Sequence, residues 1–268
     1  MDYSTLIISK MKRNHILILF ALAVSVFSSC EKNAVQEIDA PPPNGVFIKC
    51  YNFAVGGPSV NFYVDDTKIS ATNSTTGAEA ATGVAFAGVF PTNNSYLVLN
   101  NVGNVAFKTK ISSTATENAN TIISNVPATV EAGKYYSFFT SGIYDATTKT
   151  ATGFVVEDVV PALDTSAAYV RLVNSIPNAV NGFDLKAVNT TTSAAVTIAP
   201  VTAYKSASAF TKVPNGVYDL TAVSTNTPTS YTIKRTAVSF SKGFVYTIAT
   251  RGNVNVAGNP ALDLTRNR

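Results

Sequence analysis

Val46-Phe47-Ile48-Lys49-Cys50-Tyr51-Asn52 and Tyr169-Val170-Arg171-Leu172-Val173-Asn174 are one element written twice. Each is a short run of β-branched and aromatic residues that closes on Asn, as a strand bounded by a turn residue does. A loop and a second run follow in both places: Val60-Asn61-Phe62-Tyr63-Val64 after the first, Phe183-Asp184-Leu185-Lys186-Ala187 after the second. Alternate residues there are apolar, the period of a half-buried strand. Two further blocks recur in the same order. Phe90-Pro91-Thr92-Asn93-Asn94-Ser95-Tyr96-Leu97-Val98-Leu99 reads as the counterpart of Val213-Pro214-Asn215-Gly216-Val217-Tyr218-Asp219-Leu220, with a two-residue gap. Gly133-Lys134-Tyr135-Tyr136-Ser137-Phe138-Phe139-Thr140-Ser141-Gly142 aligns with Gly243-Phe244-Val245-Tyr246-Thr247-Ile248-Ala249-Thr250-Arg251-Gly252 without one.

Short hydrophobic runs separated by Gly, Pro, Asn and Thr clusters are the pattern of a sandwich or barrel. Beyond the N-terminal segment, no stretch keeps apolar residues at helical spacing for three turns. A repeat longer than about 50 residues points to tandem domains rather than a solenoid. The expectation is therefore an all-β chain with two tandem immunoglobulin-like β-sandwich domains, over 46–158 and 167–268, joined by a linker at 159–166. The first half is longer because of two Thr-, Ser- and Ala-rich loops, Ser70 to Gly83 and Ser112 to Asn120.

The N-terminus carries an address. Met11-Lys12-Arg13-Asn14-His15 is basic, Ile16 to Phe27 is apolar apart from Ser25, and Ser28-Ser29-Cys30 follows. This order is that of a secretory signal peptide, and the apolar run is too short to span a bilayer, which takes about 20 residues. Residues 1–29 are read as the signal, with Met11 as the true start. Phe27-Ser28-Ser29-Cys30 resembles the lipobox of bacterial lipoproteins, with Phe27 where Leu is usual. The resemblance implies cleavage after Ser29, diacylglycerol on the Cys30 sulfur and a further acyl chain on the new amino terminus; two or more chains anchor stably. The cysteine is followed by Glu31 and not Asp, so the implied location is the cell envelope at the outer membrane. Residues 30–45, ending in Pro41-Pro42-Pro43-Asn44-Gly45, read as a tether stiffened by polyproline geometry.

Composition narrows the chemistry. Residues 1–29 hold three of the 20 Lys/Arg and one of the 16 Asp/Glu, so the remainder carries 17 and 15. No basic block survives there, so a nucleic-acid footprint is absent. The one histidine, His15, falls in the signal, which leaves no imidazole for general-base work or metal binding. With Cys30 lipidated, Cys50 is alone, so an intrachain disulfide is excluded and a buried, inert thiol is expected. No catalytic residue, metal or cofactor is assigned.

What remains is carboxylate and aromatic chemistry. Asp65-Asp66 and Glu157-Asp158 are the adjacent acidic pairs. Two carboxylates about 5–9 Å apart can hydrolyse a glycosidic bond, and either pair offers oxygen ligands to calcium. Both read first as solvated turn acids, one after a strand and one at the mouth of the linker. Tyr51, Tyr63, Tyr144 and Tyr204 fall near strand ends or loops, where an aromatic platform for sugar can form, although packing is the commoner use. Gly133, Gly243, Pro91 and Pro214 read as turn residues, Tyr136 and Tyr246 as half-buried strand residues, and Asn52 and Asn174 as caps bonding nearby backbone.

The blocks taken together resemble the domain-of-unknown-function family 4397: an opening strand ending in Val-Asn, then Val-Pro-x-Gly-x-Tyr-x-Leu, then Gly-x-x-Tyr-Thr. The second copy carries the motifs at Val170 to Asn174, Val213 to Leu220 and Gly243 to Ile248, and the first is looser, with Asn93-Asn94-Ser95 before its tyrosine. The resemblance covers about 45–253 and implies two β-sandwiches and no reaction. The function expected is a non-catalytic binding or structural module, held to a membrane through Cys30, with a protein or glycan ligand. The alternatives are a glycan-binding accessory lipoprotein of a polysaccharide-handling system and a carboxylate-dependent glycoside hydrolase.

Overall fold

The structure, a computed structural model, describes residues 45–70, 82–92, 95–225 and 230–268. The signal segment 1–29, Cys30, the tether as far as Asn44, Asn93-Asn94 and most of the Ser70–Gly83 loop lie outside the described residues. The described residues belong to one compact unit. Every regular element among the described residues is a strand.

The first half contributes β1 (Val46–Asn52), β2 (Val60–Val64), β3 (Thr67–Lys68), β4 (Gly88–Phe90), β5 (Leu97–Leu99), β6 (Gly103–Ile111), β7 (Ile122–Val130), β8 (Tyr135–Asp145) and β9 (Thr150–Glu157). The second contributes β10 (Ala168–Asn174), β11 (Phe183–Asn189), β12 (Ala195–Thr202), β13 (Ser206–Ala207), β14 (Thr211–Val213), β15 (Gly216–Thr225), β16 (Ser230–Phe240), β17 (Val245–Arg251) and β18 (Ala261–Arg266). In the first half β1 runs parallel to β8, with β9 beyond it, and takes β4 and β5 in succession on its other side. The facing sheet is β3-β2-β6-β7. The second half repeats this strand for strand, as β13/β14-β10-β17-β18 against β12-β11-β15-β16. Both halves are sandwiches, as the repeat predicts.

Each sandwich has its own core. Ile48, Cys50, Phe62, Phe107 and Phe138 fill the first, and Leu172, Phe183, Leu185, Tyr218 and Ile248 fill the second. Burial raises the Cys50 thiol far above its ordinary value, so it packs as a small, inert apolar group.

The registers allow residue-by-residue alignment. Lys49 pairs with Ser137 where Arg171 pairs with Thr247, and Asn52 pairs with Thr140 where Asn174 pairs with Thr250. Gly133 and Gly243 both sit at positive φ before these strands, and the Tyr136 and Tyr246 hydroxyls both accept from the amide five residues earlier. The first and third sequence blocks are therefore structural repeats. The second is misaligned. Leu99 occupies the place of Val213, each opposite the first residue of β1 or β10, and Gly103 occupies that of Gly216. Phe90 lies earlier, in β4. Pro91 and Tyr96 imitate Pro214 and Tyr218 in sequence, while the true counterparts near Asn100 and Val105 share only backbone geometry.

The halves are not beads on a string. The residues of β1 that point away from its own core meet the other half. Tyr51, Phe53, Phe139 and Phe154 join Val173 and Ala249 in a third buried cluster, with Phe139 stacked on Tyr51 at 4.1 Å and on Phe154 at 4.9 Å. This seam is why β1 and β10 are buried on both faces. It is pseudo-twofold. Lys49 Nζ donates to the Arg266 carbonyl at 2.9 Å, and Arg171 donates to the Glu157 carbonyl at 3.3 Å; Lys49 is equivalent to Arg171, and Arg266 to Glu157. Phe86 stacks under Arg251, and its counterpart Tyr204 bonds Ser141, the counterpart of Arg251. Reciprocal contacts of this kind are the mark of an isologous interface, here formed within one chain. Residues 159–166 are docked as well: Arg268 donates to the carbonyls of Pro161 and Ala162, and Asp164 pairs with Lys212 at 2.9 Å.

Candidate functional site

The described end of the first long loop, Thr82-Gly83, and the second long loop come together at one end of the first sandwich. There Gly56-Gly57-Pro58-Ser59, Thr82-Gly83, Ile111-Ser112, Thr114–Asn118 and Tyr144 line an open cleft of about 520 Å³, within the usual 300–1,000 Å³ of a ligand site. The matching connection in the second half is shorter: β15 reaches β16 through the four residues 226–229, whereas β6 reaches β7 through the ten residues 112–121.

Local bonding holds the walls. Val60 and Val84 exchange backbone hydrogen bonds at 3.0 and 2.7 Å, which fixes Gly83. A Cβ on Gly83 would lie 2.7 Å from the Val60 carbonyl oxygen, so the position accepts only glycine. The Ser112 amide donates to Ser59 O at 2.9 Å, and the Tyr144 amide donates to Val55 O at 2.9 Å. Beneath both walls lies Asn52, fully buried, whose amide donates to Pro58 O at 3.2 Å and Val84 O at 2.9 Å. The strand cap read from sequence is thus also the brace of the cleft. Ile111, Ala115, Pro58 and the half-buried Tyr144 supply apolar surface, and Ser59, Thr82, Ser112, Thr114 and Thr116 supply hydroxyls. Among the described residues, Glu117 is the one ionisable side chain of the lining apart from the Tyr144 phenol.

Neither acidic pair lines this cleft. Asp65 and Asp66 form the β2–β3 turn, as expected. Asp65 sits at positive φ and accepts from the Ala106 amide, while Asp66 pairs with Lys108 at 2.9 Å, which lowers its carboxyl below the ordinary range. Asp158 overturns its expectation. It is 2% exposed and is the acid of the seam: it accepts from Ser137 and Tyr96 at 2.7 Å each and forms a close ion pair with Arg171. Neighbouring Glu157 stays partly exposed beside Lys134. The turn reading failed because the partner cation comes from the other half. The carboxylate pairs are therefore separated by fold position, and Asp158 is unavailable to substrate. Among the described residues no group of three or more His, Cys, Asp or Glu gathers to hold a metal ion.

No family model and no curated protein matches the sequence. Solved structures that it resembles include a "putative cell adhesion protein" from Bacteroides fragilis, 11% identical, covering 83% of this chain and 97% of that one with a TM-score of 0.24. Another, under the same description, comes from Bacteroides ovatus, at 12% identity, 83% and 95% coverage and a TM-score of 0.23.

The four tyrosines divide. Tyr51 is fully buried in the seam and Tyr204 bonds Ser141 there, so neither is a platform. Tyr63 is largely buried on the outer sheet with Lys110 over its ring at 4.3 Å. Tyr144 alone lines the cleft. Sequence reasoning missed Tyr96, Lys49 and Arg171, all members of the seam. The signal was present: a Lys and an Arg at matching places in two otherwise apolar strands.

The seam has one acid for two buried cations, because Asp158 is equivalent to Asn267. Loss of hydration lowers Lys49 from 10.5 to about 8, with Asp158 opposing and Arg266 adding to the drop. Between about pH 8 and the ordinary lysine value, the unfolded chain holds a proton that the folded chain has released, so stability rises with pH. Tyr51 and Tyr96 act in the opposite sense: burial and then Asp158 push both phenols up from 10.0, so above that pH the unfolded chain ionises first and stability falls. Urea midpoints across this range should therefore climb from about pH 8 and turn over near 10. Lys49→Met should abolish the climb and keep the fall.

Proposed function

We propose that this protein is a lipid-anchored envelope protein acting as a non-catalytic binding module through the loop-end cleft of its first half. The observation that carries the reading is that the β6–β7 connection, ten residues against four in the copy, lines this cleft together with Thr82-Gly83 at the end of the other long loop. Duplicated scaffolds diverge in function at loops, since loops tolerate change that packed strands do not. The polarity of β1 supports it. The chain enters β1 at Val46, beside the β7–β8 turn, where Gly133 N donates to Gly45 O. The cleft lies past its other end, at Gly56 to Ser59, roughly 20 Å away at 3.3 Å per residue. The described chain thus begins at the pole opposite the cleft. Membership of family 4397 and an outer-membrane location belong to the same proposal.

Two variants test the two parts. Full-length Cys30→Ala should move from the membrane to the soluble fraction, because the acyl chains are the anchor; if it stays with the membrane, the anchor is wrong. Replacing 112–121 by a short Asn-Gly turn should leave the sandwiches folded and abolish capture of the partner from envelope extracts by the full-length protein. Undiminished capture would overturn the cleft as the binding surface.

A further inference from the structure

We infer that the cleft takes a neutral, hydroxyl-rich ligand, a segment of uncharged oligosaccharide. The inference deepens the binding reading above and rests on it. The lining is amphipathic in the way a pyranose is. Tyr144, Ile111, Ala115 and Pro58 give apolar surface, against which the C–H face of a sugar ring loses little hydration. Ser59, Thr82 and Thr116 give hydroxyls, each able to donate or accept according to the partner, while Ser112 and Thr114 bond each other at 3.0 Å. That freedom suits sugar hydroxyls, which do both.

Charge and backbone decide against other classes. Among the described residues no Lys or Arg lines the cleft and Glu117 is its one carboxylate, and the sequence 71–81 leading into Thr82 adds no Lys or Arg. An anionic glycan, a phosphorylated group or a nucleic acid strand would meet a negative field with no counter-charge. An extended peptide binds most readily by adding to an open strand edge. β2 and β6, whose ends frame the cleft, offer none: β2 is paired by β3 and β6, and β6 by β2 and β7.

The test is a glycan array probed with the full-length protein in mild detergent, so that the outcome does not depend on the anchor. Neutral oligosaccharides should bind, and Tyr144→Ala should weaken binding about tenfold. Because Tyr144 packs partly against the core, Thr116→Val and Glu117→Gln serve as second variants; both residues are exposed, and each should lower affinity severalfold with the fold unchanged. Binding confined to acidic glycans, binding indifferent to all three variants, or no glycan bound at all would each overturn the inference. Loss of a protein partner on shortening 112–121, with no glycan bound, would overturn the sugar and leave the binding module standing. Glycan binding that survives the shortened loop would overturn both.

Discussion

Asp158→Ala should cost about 3–5 kcal/mol of stability, the loss typical when one partner of a buried ion pair is removed. Both side chains of the Asp158–Arg171 pair are almost wholly sealed, at 0% and 2% exposure. The carboxylate also accepts from Ser137 and Tyr96. Without it, Arg171 and Lys49 face each other's half with no anion between them. Urea unfolding followed by circular dichroism measures the loss. A cost below about 1 kcal/mol, the range of exposed pairs, would show that the seam is open to water. The double replacement Asp158→Leu with Arg171→Met should recover most of the stability, because well-packed apolar residues can substitute for a buried pair at little net cost. Such a recovery would mean that the charges fix which surfaces meet more than they add to the strength of the join.

Phe139→Ala is the second large effect, again about 3–5 kcal/mol. Phe139 is fully buried between the Tyr51 and Phe154 rings, and it belongs to the seam, not to either sandwich core. Its neighbour Phe138 points the other way, into the first core. The two substitutions should thus differ in kind. Phe139→Ala should loosen the halves and expose 159–166 to protease while each sandwich persists. Phe138→Ala should weaken the first sandwich and leave the second protected. Matching protease patterns for the two would mean that the chain unfolds as a single cooperative block.

Much of the fold was legible. Alternation in Val60–Val64 and Phe183–Ala187 and the recurrence of Gly133–Gly142 at Gly243–Gly252 are local patterns, and strand formation follows local pattern. The misaligned block shows the limit. Pro91 and Tyr96 look like Pro214 and Tyr218, but strand position is set by hydrogen-bond register with β1 and β10, which leaves no residue signature. The cleft was half legible. The β6–β7 loop and Tyr144 stood out as sequence, and that they meet Thr82-Gly83 in one cleft depended on where β2, β6 and β8 end.

The strands, their duplication, an inert Cys50 and the absence of imidazole after His15 could be read from residue type and spacing along the chain. The tertiary structure alone decided what Lys49, Arg171 and Asp158 do. A charge in an apolar strand is costly until its partner is known, and the partner here lies in the other half, across an axis that relates two copies of one pattern.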